Sequence, residues 1–165
     1  MRHKRRIATQ PTTAANACHV VLVEVDVATA QVKILKYWIA DCGTRLNPAN
    51  VEGQTQGGVA QGVGAALLEE AVYDEDGQLR TSIFMDYLLP TIYEVPMTEK
   101  KALCTPSPFT PLGAKGAGEG AMHTTPAAIL CAVNDALVPL GVTLLEVPAS
   151  PQRIWTLLQQ VKRSA

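Results

Sequence analysis

The chain has few of the residues that build metal centres or membrane spans. Its 165 residues include four cysteines and three histidines, with no C-x-x-C pair and no histidines at ligand spacing, so we expect no metal ion held by protein side chains. No uncharged run is long enough to cross a bilayer, and no apolar segment follows the basic start. The sequence therefore predicts neither membrane insertion nor export, and reduced cysteines in a cytoplasmic protein are the expectation.

Aromatic residues and net charge are also scarce. Aromatic side chains make up 5% of the chain, whereas hydrophobic residues make up 47% and charged residues 18%, which is typical of a globular domain with an aliphatic core. Four of the 14 Lys and Arg lie in RHKRR at positions 2–6. The rest of the chain is therefore mildly acidic and offers no basic surface for nucleic acid. We interpret residues 1–17 as a disordered basic tail and residues 18–165 as one domain.

Apolar and polar residues alternate over the first patterned stretch. VVLVEVDV at 20–27 and VKILKYWIA at 32–40 flank the turn ATAQ, so residues 20–40 are predicted to form a β-hairpin. An Asp-Gly pair in YDEDGQL at 73–79 indicates a second hairpin. Three prolines in TPSPFTPLG at 105–113 predict an extended loop.

Three stretches are predicted to be helical, which makes the expected fold α+β, with β-hairpins packed against about three helices. The first is VEGQTQGGVAQGVGAALLEEA, with Asn50 as its predicted N-cap. Thr125 and Pro126 are predicted to start the second, AAILCAVNDAL, and Ser150-Pro151 the third. Each glycine inside the first helix costs about 1 kcal/mol relative to alanine, so we expect a neighbouring element or a ligand to approach its backbone closely.

Two glycine-rich segments, EGQTQGGVAQGVG and PLGAKGAGEG, each open a predicted helix. Helix N-termini favour phosphate groups, so together these segments indicate a large phosphate-bearing ligand. In KGAGE at 115–119 the glycines expose backbone N–H groups and Lys115 adds a positive charge. The spacing matches neither Walker A nor a dinucleotide fingerprint, so a purely structural turn is the alternative interpretation.

Glu119 stands between Gly118 and Gly120, with no neighbouring side chain to shield it. A carboxylate so placed can act as a general base in a cavity. The alternative is a carboxylate that only rests near the N-terminus of the following helix, which is favourable by about 0.3–1 kcal/mol. The glutamines of the first glycine-rich segment likewise either bind a polar ligand or lie on the surface; they are Gln54, Gln56 and Gln61.

Several longer strings occur in a fixed order over roughly residues 18–160. They are VEVDVATAQVKILKY, DCGTRLNPANVEGQTQGGVAQGVGAALLEE, DEDGQL, MDYLLPT, TPSPFTPLGAKGAGEG and TPAAILCAVNDAL. Together they resemble the C-terminal part of molybdenum hydroxylase large subunits, the family of xanthine dehydrogenase, aldehyde oxidase and aerobic carbon monoxide dehydrogenase. The chain is accordingly expected to be the C-terminal portion of a molybdopterin-binding domain.

The resemblance implies a molybdenum–molybdopterin cofactor, in the cytosine dinucleotide form, whose metal is held by the pterin dithiolene. Glu119 matches the family's catalytic glutamate, which implies that it deprotonates a molybdenum-bound hydroxyl. The reaction implied is hydroxylation or oxidation of an aldehyde, N-heterocycle or similar small substrate, with water as the oxygen source. The positions implied to contact the cofactor are Gly53, Gln54, Thr55, Gln56, Gly57, Lys115, Gly116, Ala117 and Gly118.

The resemblance also implies partners, because family large subunits are several times longer and pass electrons to iron–sulfur and FAD centres elsewhere. We expect no iron–sulfur or flavin group on this chain, a need for the remaining part of the large subunit and for iron–sulfur and FAD subunits, and exposed apolar surface where missing domains sit. A truncated or split reading frame would explain the basic start. Two other functions stay open: a non-catalytic remnant or interaction module without molybdenum, and a small phosphate-ligand binding protein.

Overall fold

A computed structural model of the chain describes residues 13–41 and 43–164. It is an α+β fold, as predicted, and it contains three strands and three α-helices. The elements in chain order are β1 (Ala17–Val25), β2 (Val32–Asp41), α1 (Pro48–Leu67), β3 (Thr98–Ala102), α2 (Gly120–Leu137), a 3-10 helix (Val138–Leu140) and α3 (Pro151–Ser164). The basic part of the predicted tail, residues 1–12, and Cys42 lie outside the described residues. Within the described ranges, no helix is long and apolar enough to span a membrane.

The predicted hairpin at residues 20–40 is confirmed. Strands β1 and β2 pair antiparallel, and the carboxylate of Asp26 closes the turn by accepting hydrogen bonds from the Ala28 N–H and the Thr29 hydroxyl, both at 2.8 Å. Strand β1 begins at Ala17, one residue before the predicted boundary between residues 17 and 18. Alternating side chains of β1 face the helices, which is why the sequence pattern has period two.

Strand β3, with the sequence TEKKA, was not predicted, because it lacks an alternation of apolar residues. It pairs parallel with β2 and completes a sheet of order β1-β2-β3. Trp38 of β2 donates a hydrogen bond to Glu99 of β3 over 3.0 Å. The second predicted hairpin is reduced to a single bridge between Tyr73 and Leu79 around a turn. The proline-rich segment is a loop, as predicted, but it is not extended throughout, because residues 108–112 form turns and the Gly113 N–H donates to the Thr110 carbonyl at 3.1 Å.

Helices α1 and α2 begin at other residues than predicted. Asn47, not Asn50, is the N-cap of α1, because its side-chain oxygen accepts the Asn50 N–H at 3.2 Å while Pro48 occupies the first turn. Helix α2 begins at Gly120, so the predicted start at Thr125 and Pro126 is wrong: both residues lie inside the helix. The start of α3 at Ser150-Pro151 is confirmed.

The core lies between the sheet and the helices, and it is mainly aliphatic, as composition indicates. Helix α2 packs between α1 and the sheet, in contact with both. The largest fully buried side chains are Tyr37, Ile39, Ile129, Leu137, Ile154, Val59, Val63, Val133 and Thr125. Two of these, Tyr37 and Thr125, carry hydroxyl groups, so the core contains polar groups that need partners.

Candidate functional site

Helices α1 and α2 lie side by side and run in the same direction. A Cβ added to Gly58 would lie 3.0 Å from the Ala121 Cβ, and one added to Gly62 would lie 2.7 Å from the Thr125 Cγ2. Because the contacting residues ascend together along both helices, the helices are parallel. Gly58 and Gly62 therefore serve close helix packing, and both glycine-rich segments lie at the same end of the helix pair.

Three other glycines have open surroundings. A Cβ added to Gly53, Gly57 or Gly118 would meet no atom within 4 Å, and all three residues are exposed. None of them has the positive φ that favours glycine. The two in α1 each lower helix stability by about 1 kcal/mol relative to alanine, with no gain within the described residues. Backbone without side chains allows a ligand to approach closely, and a bound cofactor would require such an approach.

Gly113 anchors the second glycine-rich segment at its start. It has φ +69°, and a Cβ there would lie 2.6 Å from the Pro106 Cβ, so both conformation and space require glycine. Its carbonyl accepts the Thr44 N–H at 3.3 Å and the Ser107 N–H at 2.9 Å. The segment is thereby fastened to the loops on both sides of it.

Lys115 is held by two neutral oxygen atoms. Its Nζ donates to Asn16 Oδ1 at 2.8 Å and to Thr105 Oγ1 at 3.1 Å, and its side chain packs over Gly43. Neither partner is charged, so neither neutralises the positive charge. Lys115 therefore shapes the loop and also leaves the positive charge near the exposed backbone of the segment.

Glu119 lies at the N-cap position of α2, and its carboxylate is exposed. The side chain makes no capping hydrogen bond, while the Glu119 carbonyl accepts the His123 N–H at 3.2 Å. No backbone hydrogen bond is made by the N–H groups of residues 117–122 within the part of the chain that the structure describes. The position suits both a helix-start acid and a general base, and the free N–H groups form an anion-binding end.

The remaining predicted site residues divide into structural and exposed side chains. Thr55 is buried, donates to the Val51 carbonyl at 2.8 Å and lines, with Ala117, a cavity of about 30 Å³ that holds roughly one water molecule. Gln56 donates to the Pro96 carbonyl at 2.9 Å and accepts from the Thr98 hydroxyl at 2.6 Å. The amide of Gln56 is thus used to fix β3. Gln54, Gln61 and Gly116 are exposed.

A buried polar cluster behind the site was not predicted. His19 Nδ1 lies 2.8 Å from the Tyr37 hydroxyl, which donates to Thr125 Oγ1 at 3.0 Å. Burial lowers the pKa of His19 and raises the pKa of Tyr37 to about 12. The alternation of β1 could have revealed the cluster, because it places His19 on the same strand face as Val21, which packs against the core.

Other grooves and clusters lie away from these residues. A groove of about 380 Å³ runs between the hairpin, the end of α1 and the start of α3, and it includes none of the predicted site residues. Across residues 13–41 and 43–164, no group of three or more His, Cys, Asp or Glu comes together as possible metal ligands. The glycine-rich end of α1 and α2 is therefore the candidate site.

Comparison with known proteins agrees with this geometry. Residues 2–96, more than half of the chain, match the family model described as "Molybdopterin cofactor-binding domain", so the chain contains a molybdopterin cofactor-binding domain. The nicotine 6-hydroxylase large subunit of Paenarthrobacter nicotinovorans is 46% identical over 141 residues, which are 85% of this chain and 17% of that protein. The carbon monoxide dehydrogenase large chain of Hydrogenophaga pseudoflava is 37% identical over 143 residues, which are 86% of this chain and 18% of that protein.

A solved structure shows the same fold. Quinoline 2-oxidoreductase from Pseudomonas putida 86 superposes with a TM-score of 0.86 at 46% identity, covering 88% of this chain and 19% of the other. The chain belongs to the molybdenum hydroxylase family of oxidoreductases, which confirms the resemblance seen in its sequence. It spans less than a fifth of the length of the curated relatives it matches, 17% and 18%.

Proposed function

We propose that this chain binds the molybdopterin cofactor of a molybdenum hydroxylase and presents Glu119 as the catalytic base. The observation that carries the proposal is the pairing of bare helix backbone with a free carboxylate. Gly53, Gly57 and Gly118 face open space at the end of the helix pair where Glu119 lies uncapped. Because these glycines stabilise nothing within the described residues, they favour cofactor binding over a remnant that has lost this function.

We assign the cofactor contacts to backbone and side chains of both segments. The backbone at Gly53, Gly57, Gly116, Ala117 and Gly118 would approach the cofactor, and free N–H groups at the start of α2 would bind phosphate oxygens. Gln54 is exposed and offers an amide. Lys115 adds positive charge, whereas Thr55 and Gln56 support the site from within the fold. The free N–H groups at the start of α2, beside the exposed glycines of α1, favour the cytosine dinucleotide form, which carries a pyrophosphate.

Glu119 has the properties of a proton acceptor. Its carboxylate is exposed and makes no capping hydrogen bond, so it is free to take a proton from a water-derived nucleophile. When bound, the molybdenum cofactor supplies the two-electron oxidation of the substrate. Two proteins at 46% identity are named for nicotine and quinoline, which favours an N-heterocycle over an aldehyde or carbon monoxide as substrate.

The partner surface is an apolar strip, defined here as residues 83–97. The most exposed members of this strip are Phe84 at 80%, Met85 at 84%, Ile92 at 86%, Tyr93 at 94% and Met97 at 86%. A concentration of large exposed apolar side chains in one stretch of chain favours a protein interface. We propose that the strip packs against the polypeptide that forms the other four fifths of a large subunit in the relatives, and that electrons then pass to iron–sulfur and FAD subunits.

The test is the substitution Glu119→Gln in the chain assembled with the remainder of a large subunit and its electron-accepting subunits. Molybdenum and pterin content should stay unchanged, while turnover of an N-heterocycle should fall by at least about a hundredfold, because general base catalysis contributes that much. Glu146→Gln is the matched control, since Glu146 is exposed and lies far along the chain. Undiminished turnover in Glu119→Gln removes the residue from its role, and absence of molybdenum from every assembly refutes cofactor binding.

A further inference from the structure

A directional series of hydrogen bonds joins the sheet to the first turns of α2. Thr125 Oγ1 donates to the Ala121 carbonyl at 2.8 Å, so its single proton is used and its lone pairs accept the Tyr37 hydroxyl at 3.0 Å. Tyr37 in turn can only accept from His19, whose Nδ1 lies 2.8 Å away. The order of donors therefore assigns the proton of His19 to Nδ1.

We propose that His19, Tyr37 and Thr125 are positioning residues that hold the N-terminal turn of α2, and with it Glu119, against the sheet. The catalytic role of Glu119 is part of the proposed function, and this inference rests on it. Among the residues that the structure describes, the Glu119 side chain has no anchor of its own, since it makes no capping hydrogen bond. Its location must therefore be set through the backbone.

The backbone of that turn is held from two sides. On one side, Ala121 and Thr125 pack directly against the glycine positions of α1, Gly58 and Gly62. On the other side, Tyr37, which is 1% exposed, bonds to Thr125, which is 0% exposed. Van der Waals contact with α1 alone permits sliding along the glycine groove, whereas hydrogen bonds fix one register.

His19 completes the series from the neighbouring strand. Its ring meets the Tyr37 ring edge-on, with centroids 5.6 Å apart, and its Nε2 is buried with no hydrogen-bond partner among the described residues. With the proton on Nδ1, the Nε2 carries only a lone pair, so no donor is left unsatisfied. A protonated imidazole would keep the Nδ1 bond but would place an Nε2–H donor where the described residues offer no acceptor, so the neutral ring is favoured.

One amide reports directly on this positioning. The His123 N–H donates to the Glu119 carbonyl, so its hydrogen exchange measures how often the turn that carries Glu119 opens. In the full chain, we expect Tyr37→Phe and Thr125→Val to speed His123 exchange by about threefold to tenfold, the effect of one lost hydrogen bond. Thr125→Ser should restore the wild-type rate because it keeps the hydroxyl.

Thr156→Val in α3 is the matched control, since Thr156 also donates to a helix carbonyl, that of Gln152, at 2.8 Å. It should leave His123 exchange unchanged. Equal acceleration at Val133, farther along α2, would show a general loss of stability and overturn the inference. Unchanged exchange at His123 in Tyr37→Phe and Thr125→Val, or a Thr125→Ser variant as fast as Thr125→Val, would also overturn it.

The assembled enzyme separates this inference from the proposed function. Tyr37→Phe should lower kcat while leaving KM and molybdenum content unchanged, because Glu119 is displaced and the cofactor contacts are kept. If exchange at His123 responds as expected but Glu119→Gln retains full turnover, the positioning stands and the proposed function fails. If exchange does not respond but Glu119→Gln is inactive, the proposed function stands and the positioning fails.

Discussion

Two glycines of one helix allow a matched test of what each of them does. Gly57 and Gly62 both lie inside α1, so Gly→Ala makes the same chemical change at both positions. A Cβ at Gly57 would meet nothing within 4 Å, whereas a Cβ at Gly62 would overlap the Thr125 side chain and lie 2.7 Å from its Cγ2. We therefore expect stability changes of opposite sign.

The magnitudes follow from these surroundings. Gly57→Ala should stabilise the chain, without cofactor or other subunits, by about 0.5–1 kcal/mol, because alanine loses less backbone entropy than glycine when a helix forms. Gly62→Ala has the same gain, but its new methyl group enters a contact that is already closer than the optimal 3.5–4.0 Å or so between carbon atoms. Overpacking of this kind costs about 1–3 kcal/mol, and Thr125 is completely buried, so we expect a net loss of about 1–2 kcal/mol.

Urea unfolding of the full chain at constant pH measures both variants, and an unchanged m-value would show that the comparison is of native-state stability. The expected change in melting temperature is about 2–4 °C per kcal/mol for a chain of this size. A less stable Gly57→Ala would show that Gly57 serves the fold and would remove it from the cofactor site. A more stable Gly62→Ala would refute the helix contact.

Cofactor loading gives the same pair a second readout. In the assembled enzyme, Gly57→Ala should retain less molybdopterin than wild type, although its bare chain is more stable. This uncoupling of stability from cofactor content is what a glycine kept for a ligand predicts. Equal cofactor content in Gly57→Ala and wild type would contradict the assignment of this backbone to the cofactor.

Further predictions concern the buried histidine, the apolar strip and the β3 anchor. Burial lowers the pKa of His19, so the unfolded chain binds a proton more readily than the folded chain. The contribution of His19 to stability is therefore complete above pH about 6.5 and should fall as the pH drops toward the lowered pKa. Between pH 7 and 5.5, urea unfolding should show a smaller decrease in unfolding free energy for His19→Asn than for wild type, and an equal decrease would contradict this assignment. Phe84→Ser combined with Tyr93→Ser should reduce dye binding and self-association of the bare chain but change its unfolding free energy by less than about 0.5 kcal/mol, since both side chains are exposed. Gln56→Leu should destabilise the chain by about 1–3 kcal/mol, because it leaves the groups around β3 unpaired, whereas Gln54→Leu at an exposed position should leave the unfolding free energy within about 0.5 kcal/mol of wild type.

Local pattern was enough to predict the hairpin and the three helices. Alternation in β1 and β2 depends only on one face being buried, and the start of α3 is specified by Ser150 and Pro151 themselves. Strand β3 could not be predicted this way. Its charged sequence pairs with β2 because Gln56 binds the chain at Thr98, a contact between residues far apart in sequence.

The start of α2 shows a second limit of local reasoning. Thr125 and Pro126 have the composition of a helix start, yet the helix begins at Gly120. Thr125 is buried between Gly62 and Tyr37, so tertiary contacts extend the helix through the proline. The glycines of α1 show the same limit. Glycines 58 and 62 cannot be distinguished from glycines 53 and 57 by the local sequence, because only the three-dimensional contacts reveal that the first pair packs against a helix.

Because α1 and α2 pack directly against each other, the distance between the two glycine-rich segments does not depend on the length of the chain that connects the helices. The connection from residue 68 to residue 112 carries the apolar strip, is held to α1 where Gln56 bonds Pro96 and Thr98, and ends at Gly113, whose carbonyl accepts the Thr44 and Ser107 N–H groups. Insertions or deletions before Pro96, away from these anchors, need not shift either glycine-rich segment, because the helices set their separation. New protein contacts can therefore arise in the connection while the cofactor end stays the same.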